Sequence, residues 1–269
     1  MIVNRRIFLP FFLFFAINSG YAQEVSDAKP ARIPPRTVLE RAQKAFEKIA
    51  DLQTDFHQVT RHANGHIEEL WARLIVVKSG EKVRPANSSL VLELYDRPIP
   101  SVMTEREIVQ DPTDQKPMKI YFADSGRKLL YTYDPEGNAL TIEKLDESGP
   151  LPEFMQLAGF LELNLDELEK KVYLDADVYQ ETVDGVSCYR VKIQPLKDMR
   201  GIEPDRMIWV DRKTNLPKKL AVIGETRTEI FFGECLLDRG LNAEAIVPEI
   251  PQNAQRTDLT AGQQTAKKE

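Results

Sequence analysis

The chain has 269 residues and carries 36 lysines and arginines against 42 aspartates and glutamates, a formal net charge of −6. This acidic balance makes it a poor candidate for binding nucleic acid or anionic lipid surfaces, because both depend on Lys and Arg contacts. The length suits one large β domain or two small ones. No internal repeat and no Gly/Ser-rich linker divides the sequence, so we expect a single domain.

Residues 1–22 have the features of a secretory signal peptide. Arg5 and Arg6 precede an apolar run over residues 7–17, and small residues lead to Ala22. The apolar run is too short to span a bilayer, and no cysteine follows Ala22 to take a lipid. We therefore predict export to the periplasm with cleavage after Ala22, the alternative being an uncleaved anchor.

An amphipathic helix is predicted after an extended, proline-ended leader over residues 23–36. Thr37 and Glu40 have capping-box spacing, and apolar residues then recur at helical spacing from Val38 to Ala50. The apolar stripe of such a helix needs a partner, and the open face of a curved sheet is the obvious one.

Alternation of apolar and polar residues predicts antiparallel strands through most of the remaining chain. The predicted strands cover residues 52–61, 69–78, 88–95, 118–123, 128–133, 139–145, 171–183, 186–193, 207–210, 216–223 and 226–236. The last four are joined by turns too short for a helical crossover, so they must form a meander. Residues 96–117 are interpreted as an insertion with an edge strand over 102–109, and the polar residues 248–269 as a disordered tail. The barrel-like domain accordingly covers residues 37–247.

Two sets of apolar residues are the candidate binding site. Strand parity predicts one concave apolar surface formed by Phe56, Leu74, Val76, Leu90, Leu92, Leu94, Tyr131 and Tyr133. A helix-like segment over residues 154–161 interrupts the strands, and its adaptable apolar side chains predict a movable lid made of Phe154, Met155, Leu157 and Phe160.

Catalytic signals are missing from the sequence. It has no nucleophile elbow, phosphate-binding loop, dinucleotide fingerprint or zinc-protease motif, so we expect neither an enzyme nor a bound cofactor or metal. The three histidines, His57, His62 and His66, lie in the first hairpin and are interpreted as solvent-side residues. The acidic pairs Glu68-Glu69 and Asp166-Glu167 are interpreted as solvated faces or helix N-terminal charges. Cys188 and Cys235 fall on the first and last strands of the meander, which favours two free thiols over a disulfide.

Several short stretches, in their order and spacing, resemble the periplasmic lipoprotein-carrier family of the LolA type. They are Leu52-Gln53-Thr54-Asp55-Phe56-His57-Gln58, Gly126-Arg127-Lys128-Leu129-Leu130-Tyr131-Thr132-Tyr133-Asp134-Pro135, Cys188-Tyr189-Arg190-Val191-Lys192-Ile193-Gln194-Pro195 and Ile208-Trp209-Val210-Asp211. The resemblance covers residues 38–247. It implies a mainly antiparallel, incomplete β-barrel with helices over its concave apolar face.

The same resemblance implies a monomeric carrier that shelters acyl chains of lipoproteins, or other lipids, between an inner-membrane lipoprotein-releasing transporter and an outer-membrane acceptor. The chain departs from the family in one place: the family has Arg-Pro directly after its second strand, to hold the lid closed, whereas Arg84-Pro85 comes several residues later here. Two alternatives remain, a lipid- or lipoprotein-sensing module of the envelope on the same fold and an enzyme acting on lipid or envelope polymer. The missing motifs disfavour the enzyme.

Overall fold

The computed structural model describes residues 29–78, 88–98, 116–124, 126–145, 172–196 and 204–260. These residues form fourteen strands and one α-helix. No helix among them is long and apolar enough to cross a membrane.

The elements, in chain order, agree closely with the predicted pattern. They are β1 Lys29–Ala31, α1 Pro35–Lys48, β2 Asp51–Arg61, β3 Ile67–Lys78, β4 Ser88–Tyr95, β5 Lys119–Asp124, β6 Leu129–Asp134, β7 Ala139–Lys144, β8 Val172–Leu174, β9 Val178–Val183, β10 Val186–Pro195, β11 Asp205–Asp211, β12 Pro217–Ile223, β13 Arg227–Leu237 and β14 Gln255–Asp258. The single strand predicted over residues 171–183 is divided into β8 and β9. The predicted edge strand over residues 102–109 lies outside the described residues.

One sheet contains all of these strands. Its order is β1-β9-β10-β11-β12-β13-β2-β3-β4-β5-β6-β7-β14, with β8 attached to β10. The predicted meander is confirmed as β10 to β13, and the pairing of β13 with β2 joins it to the N-terminal strands. The described strands β1 and β14 end the pairing order without meeting, so the sheet is open. The predicted fold class, a mainly antiparallel incomplete barrel, is confirmed.

Helix α1 lies over one face of the sheet, which we call the inner face. Val38, Leu39 and Ala42 are buried there in one cluster with sheet residues, as the amphipathic pattern predicts. The predicted capping box is wrong: the helix begins at Pro35, whose fixed φ suits a first helical position, and no side chain caps it. Glu40 instead pairs with Arg36, at 2.9 Å from its Nε.

The opposite, outer face is covered in its β3–β7 half by the C-terminal segment. Ile246 and Ala254 are buried in a cluster with Val91, Phe122 and Leu140. β14 then pairs in parallel with β7. The assignment of residues 248–269 to a disordered tail is therefore wrong for residues 248–260. These residues are mostly polar, so the sequence pattern did not reveal the few apolar side chains that pack against the sheet. It also did not reveal the strand, because its four residues are all exposed.

Asp51 fixes the point from which this C-terminal segment departs. Its side chain is buried, and its two carboxylate oxygens accept hydrogen bonds from the backbone N–H groups of Arg239, Gly240 and Leu241 at 2.8 to 3.0 Å. Gly240 has φ +76°, a conformation that side chains disfavour. The first residue of β2 thereby turns the chain leaving β13 toward the outer face.

Candidate functional site

Six of the predicted groove residues lie together on the inner face. Leu74 is opposite Leu92 and Val76 is opposite Leu90 in the register of β3 and β4. Directly opposite residues of an antiparallel pair share a face, and the same registers carry Phe56 and Leu94 on either side of Ala72. All six contact the cluster that holds the buried face of α1.

The apolar inner face also continues across the meander. Phe232 of β13 packs against Phe56, with ring centroids 6.0 Å apart. Further buried members of the same cluster come from β9 to β13: Val178, Val191, Ile193, Ile208, Val210, Leu220 and Ile230. Side chains at the cluster margin, including Leu94, Tyr121, Leu130 and Phe232, are only partly buried. The described residues therefore form a wide apolar cluster between the sheet and one helix, and its margin is only partly buried.

The prediction that Tyr131 and Tyr133 share this face is wrong. Tyr131 is opposite Phe122 and Tyr133 is opposite Ile120, and these residues belong to the outer-face cluster under the C-terminal segment. The residue of β6 that reaches the inner cluster is Leu130. β6 has apolar residues directed to both clusters, Leu130 to the inner one and Tyr131 and Tyr133 to the outer one, and strand parity alone could not tell which face is which.

The predicted lid residues Phe154, Met155, Leu157 and Phe160 lie outside the described residues, as do Arg84-Pro85 and Asp166-Glu167. Their roles stay predictions. Ligand binding by the six inner-face residues is likewise still a prediction.

The histidines lie on the first hairpin, and they form no metal-binding group within the described ranges. His57 stacks on Trp71 at 4.7 Å between ring centroids, and its Nε2 lies 3.3 Å from Glu69. His62 and His66 both approach Glu68, at 3.2 and 3.4 Å. The carboxylates of Glu68 and Glu69 thus accompany imidazoles on the hairpin, and neither has the apolar enclosure expected of a general acid.

Cys188 and Cys235 are free thiols on strands separated by β11 and β12. Burial raises the pKa of Cys188 to about 12. Burial also raises the pKa of Cys235, against the lowering effect of a hydrogen bond with Thr54. Because the thiolate is the reactive form, neither cysteine has the environment of a nucleophile.

A network of charges crosses the outer face of the meander. Glu229 lies 2.5 Å from Arg61, 2.6 Å from Lys219 and 3.1 Å from Arg227. Lys219 also lies over the rings of Trp209 and Phe231, at 4.8 and 4.5 Å. Burial raises the pKa of Glu229, but the hydrogen bonds and charges of Lys219 and Arg227 outweigh it and hold that pKa below its ordinary value. The charges of this network pair with one another, so we interpret it as structural.

Comparisons with known proteins found similar solved structures but no relative by sequence. No protein-family model matches the chain, and no curated protein matches its sequence. Among solved structures, an uncharacterized conserved protein from Thermus thermophilus is 11% identical, over 83% of this chain and 98% of that chain, with a TM-score of 0.47. A LolA superfamily protein from Nitrosomonas europaea is 8% identical, over 80% and 98%, with a TM-score of 0.34.

The Pseudomonas aeruginosa MucA/MucB complex contains a chain that is 13% identical to this one, over 80% of this chain and 61% of that chain, with a TM-score of 0.45. At such identities and scores, likeness carries no statement about cargo or partner. We therefore infer the function from the inner face.

Proposed function

We propose that this protein is an exported, non-catalytic carrier that shelters acyl chains of lipoproteins on its inner face. The observation that carries the proposal is the apolar surface shared by α1 and the sheet. The surface extends from Leu92 through Phe56 to Ile208, and the apolar face of α1 is buried against it. Each buried acyl CH₂ contributes about 0.8 kcal/mol, so a surface of this kind suits chains that water rejects.

The sheet is open, because its two end strands do not pair, and this supports the same proposal. A closed barrel has a fixed interior, whereas a sheet with separate edges and a covering helix can admit a ligand between helix and sheet. In this proposal α1 and the segment over residues 154–161 are the covers. The transporter and acceptor would be the partners at the two ends of the transfer.

The test is saturable binding of a palmitoylated peptide to the purified protein, followed by the fluorescence of a probe on the peptide. β6 offers a matched pair of variants, because Leu130 packs at the inner cluster while Leu129 is opposite Asp124 on the outer face, and both are partly buried. Leu130→Gln should weaken binding about tenfold, since a leucine contact of this size contributes about 1.5 to 3 kcal/mol when fully formed. Leu129→Gln should leave binding unchanged.

Equal losses in the two variants, or no saturable binding by the wild-type protein, would contradict the proposal. Capture from envelope extract then separates the two roles of an acyl-binding face. Co-purification of acylated lipoproteins supports the carrier, whereas co-purification of a membrane regulator without lipoprotein cargo favours the sensing module.

A further inference from the structure

A second surface, distinct from the inner face, lies where the end of α1 meets the β11–β12 turn. It is a groove of about 460 Å³ lined by Arg41, Lys44, Ala45, Lys48, Ile49, Thr214, Asn215, Leu216, Leu237 and Asp238. Its floor is apolar, because Ile49 and Leu216 are buried together with Phe46 and Leu52, and Ala45 and Leu237 pack against them.

Three cations line one side of this groove. Arg41, Lys44 and Lys48 are spaced three and four residues apart on α1, so they lie in a row about 10 Å long on one helix face. All three side chains are exposed, and within the part of the chain that the structure describes none of them makes an ion pair. Lys48 alone belongs to the last turn, where a cation complements the helix dipole. The dipole therefore does not explain Arg41 and Lys44.

The opposite wall is rigid and offers a further donor. Asp211 accepts hydrogen bonds from the Lys213 N–H and the Thr214 hydroxyl, each at 2.8 Å, which fixes the turn. Asn215 has φ 59° in that turn, and its side-chain amide has no hydrogen-bond partner among the described residues. The one carboxylate in the lining, Asp238, accepts a hydrogen bond from the Ala50 N–H at 2.7 Å. The lining thus holds three cations against one carboxylate, and one oxygen of that carboxylate is already engaged.

We propose that this groove binds the phosphate-bearing head group of an anionic phospholipid at a membrane surface. The cations and the Asn215 amide match the phosphate oxygens, and the apolar floor matches the glycerol and first acyl carbons. An acidic peptide would engage the cations but has no acyl carbons for the apolar floor, so the floor favours the phospholipid. The net charge of −6 disfavours such contact for the chain as a whole, but these three charges act locally, within a Debye length of the surface.

The experiment is flotation of the protein with vesicles of phosphatidylcholine, with or without phosphatidylglycerol. Binding should require phosphatidylglycerol. Each Lys or Arg near an anionic surface contributes a factor of about five, so the triple variant R41Q/K44Q/K48Q should lower the partition coefficient about 100-fold. The matched control R127Q/K144Q/R256Q removes three exposed cations at the β5–β7 and β14 side of the sheet, and it should keep most of the binding.

All of these proteins begin at the same residue, so any contribution of the N-terminal segment cancels in the comparison. Leu130→Gln should also keep vesicle binding, which separates this groove from the inner face. Equal losses in the two triple variants, equal binding to phosphatidylcholine alone, or binding of polyglutamate in place of vesicles would each overturn the proposal. Circular dichroism verifies that the substituted proteins are folded.

Discussion

The substitution Asp51→Asn tests whether one carboxylate holds the C-terminal segment on the outer face. Asp51 is only 2% exposed, and one of its oxygens accepts the Arg239 N–H while the other accepts those of Gly240 and Leu241. An asparagine side chain has the same shape but offers one acceptor oxygen and an NH₂ group. In either orientation at least one backbone N–H would face the NH₂ group without an acceptor.

The magnitude follows from the hydrogen bonds that are lost. A hydrogen bond to a charged group contributes about 1.5 to 3 kcal/mol, and a buried donor left unpaired costs about 1 to 3 kcal/mol. We therefore expect Asp51→Asn to lower the free energy of unfolding by about 2 to 4 kcal/mol. The loss should first appear as opening of residues 239–258, because these residues depend on the Asp51 hydrogen bonds while β10–β13 do not.

The assays are urea denaturation and amide hydrogen exchange resolved along the chain. Exchange should accelerate in residues 239–258 and stay slow in β10–β13. Asp134→Asn is the matched control, because Asp134 accepts the backbone N–H groups of Glu136 and Gly137 at 3.0 Å in an exposed turn. If Asp51→Asn lowers the free energy of unfolding no more than Asp134→Asn, or exchange in residues 239–258 does not change, the Asp51 carboxylate does not hold this segment.

Two further predictions concern buried ionisable groups. Glu229→Gln should lower the free energy of unfolding by about 3 kcal/mol at neutral pH, because it leaves Lys219, whose side chain is mostly buried, without its carboxylate. Arg61→Gln should cost less than about 1 kcal/mol, because the Arg61 side chain is exposed to water. Since the pKa of Glu229 is lowered on folding, its contribution should be fully present above the ordinary glutamate pKa and disappear as pH falls through the lowered value; urea midpoints of wild type and Glu229→Gln that differ equally at all pH values would contradict this. Cys188 should not react with a neutral-pH thiol reagent until the protein unfolds, because it is fully buried and its pKa is raised to about 12; rapid labelling of Cys188 in the native protein, measured by mass spectrometry, would refute its placement.

The sequence predicted the strands well because their signals are local. Alternation and turn residues locate β2 to β7 and the meander, and short turns leave an antiparallel order as the only choice. Six inner-face residues followed from the same parity. The departure at Tyr131 and Tyr133 has a non-local cause: β6 is covered on both faces, and its outer cover comes from residues more than a hundred positions later.

Two other features depend on contacts that no local pattern reveals. Asp51 appears in the sequence as an ordinary polar residue before a strand, and its role emerges only where the chain returns after β13. The groove beside α1 joins a helix face to a turn near residue 214. Helical spacing does place Arg41, Lys44 and Lys48 together, but the apolar floor beneath them is completed by the distant residues Leu216 and Leu237.

The short strands β1 and β14 have a consequence for solubility. A sheet of this width would normally expose two long rows of unpaired N–H and C=O groups, which invite edge-to-edge polymerisation. Here the outermost described strands have only three and four residues, and each covers a longer neighbour. Since residues 255–258 are synthesised long after β7, β7 has no partner on its outer side during much of translation. A chain truncated before Gln255 would therefore be expected to self-associate through β7, even though its core strands are intact.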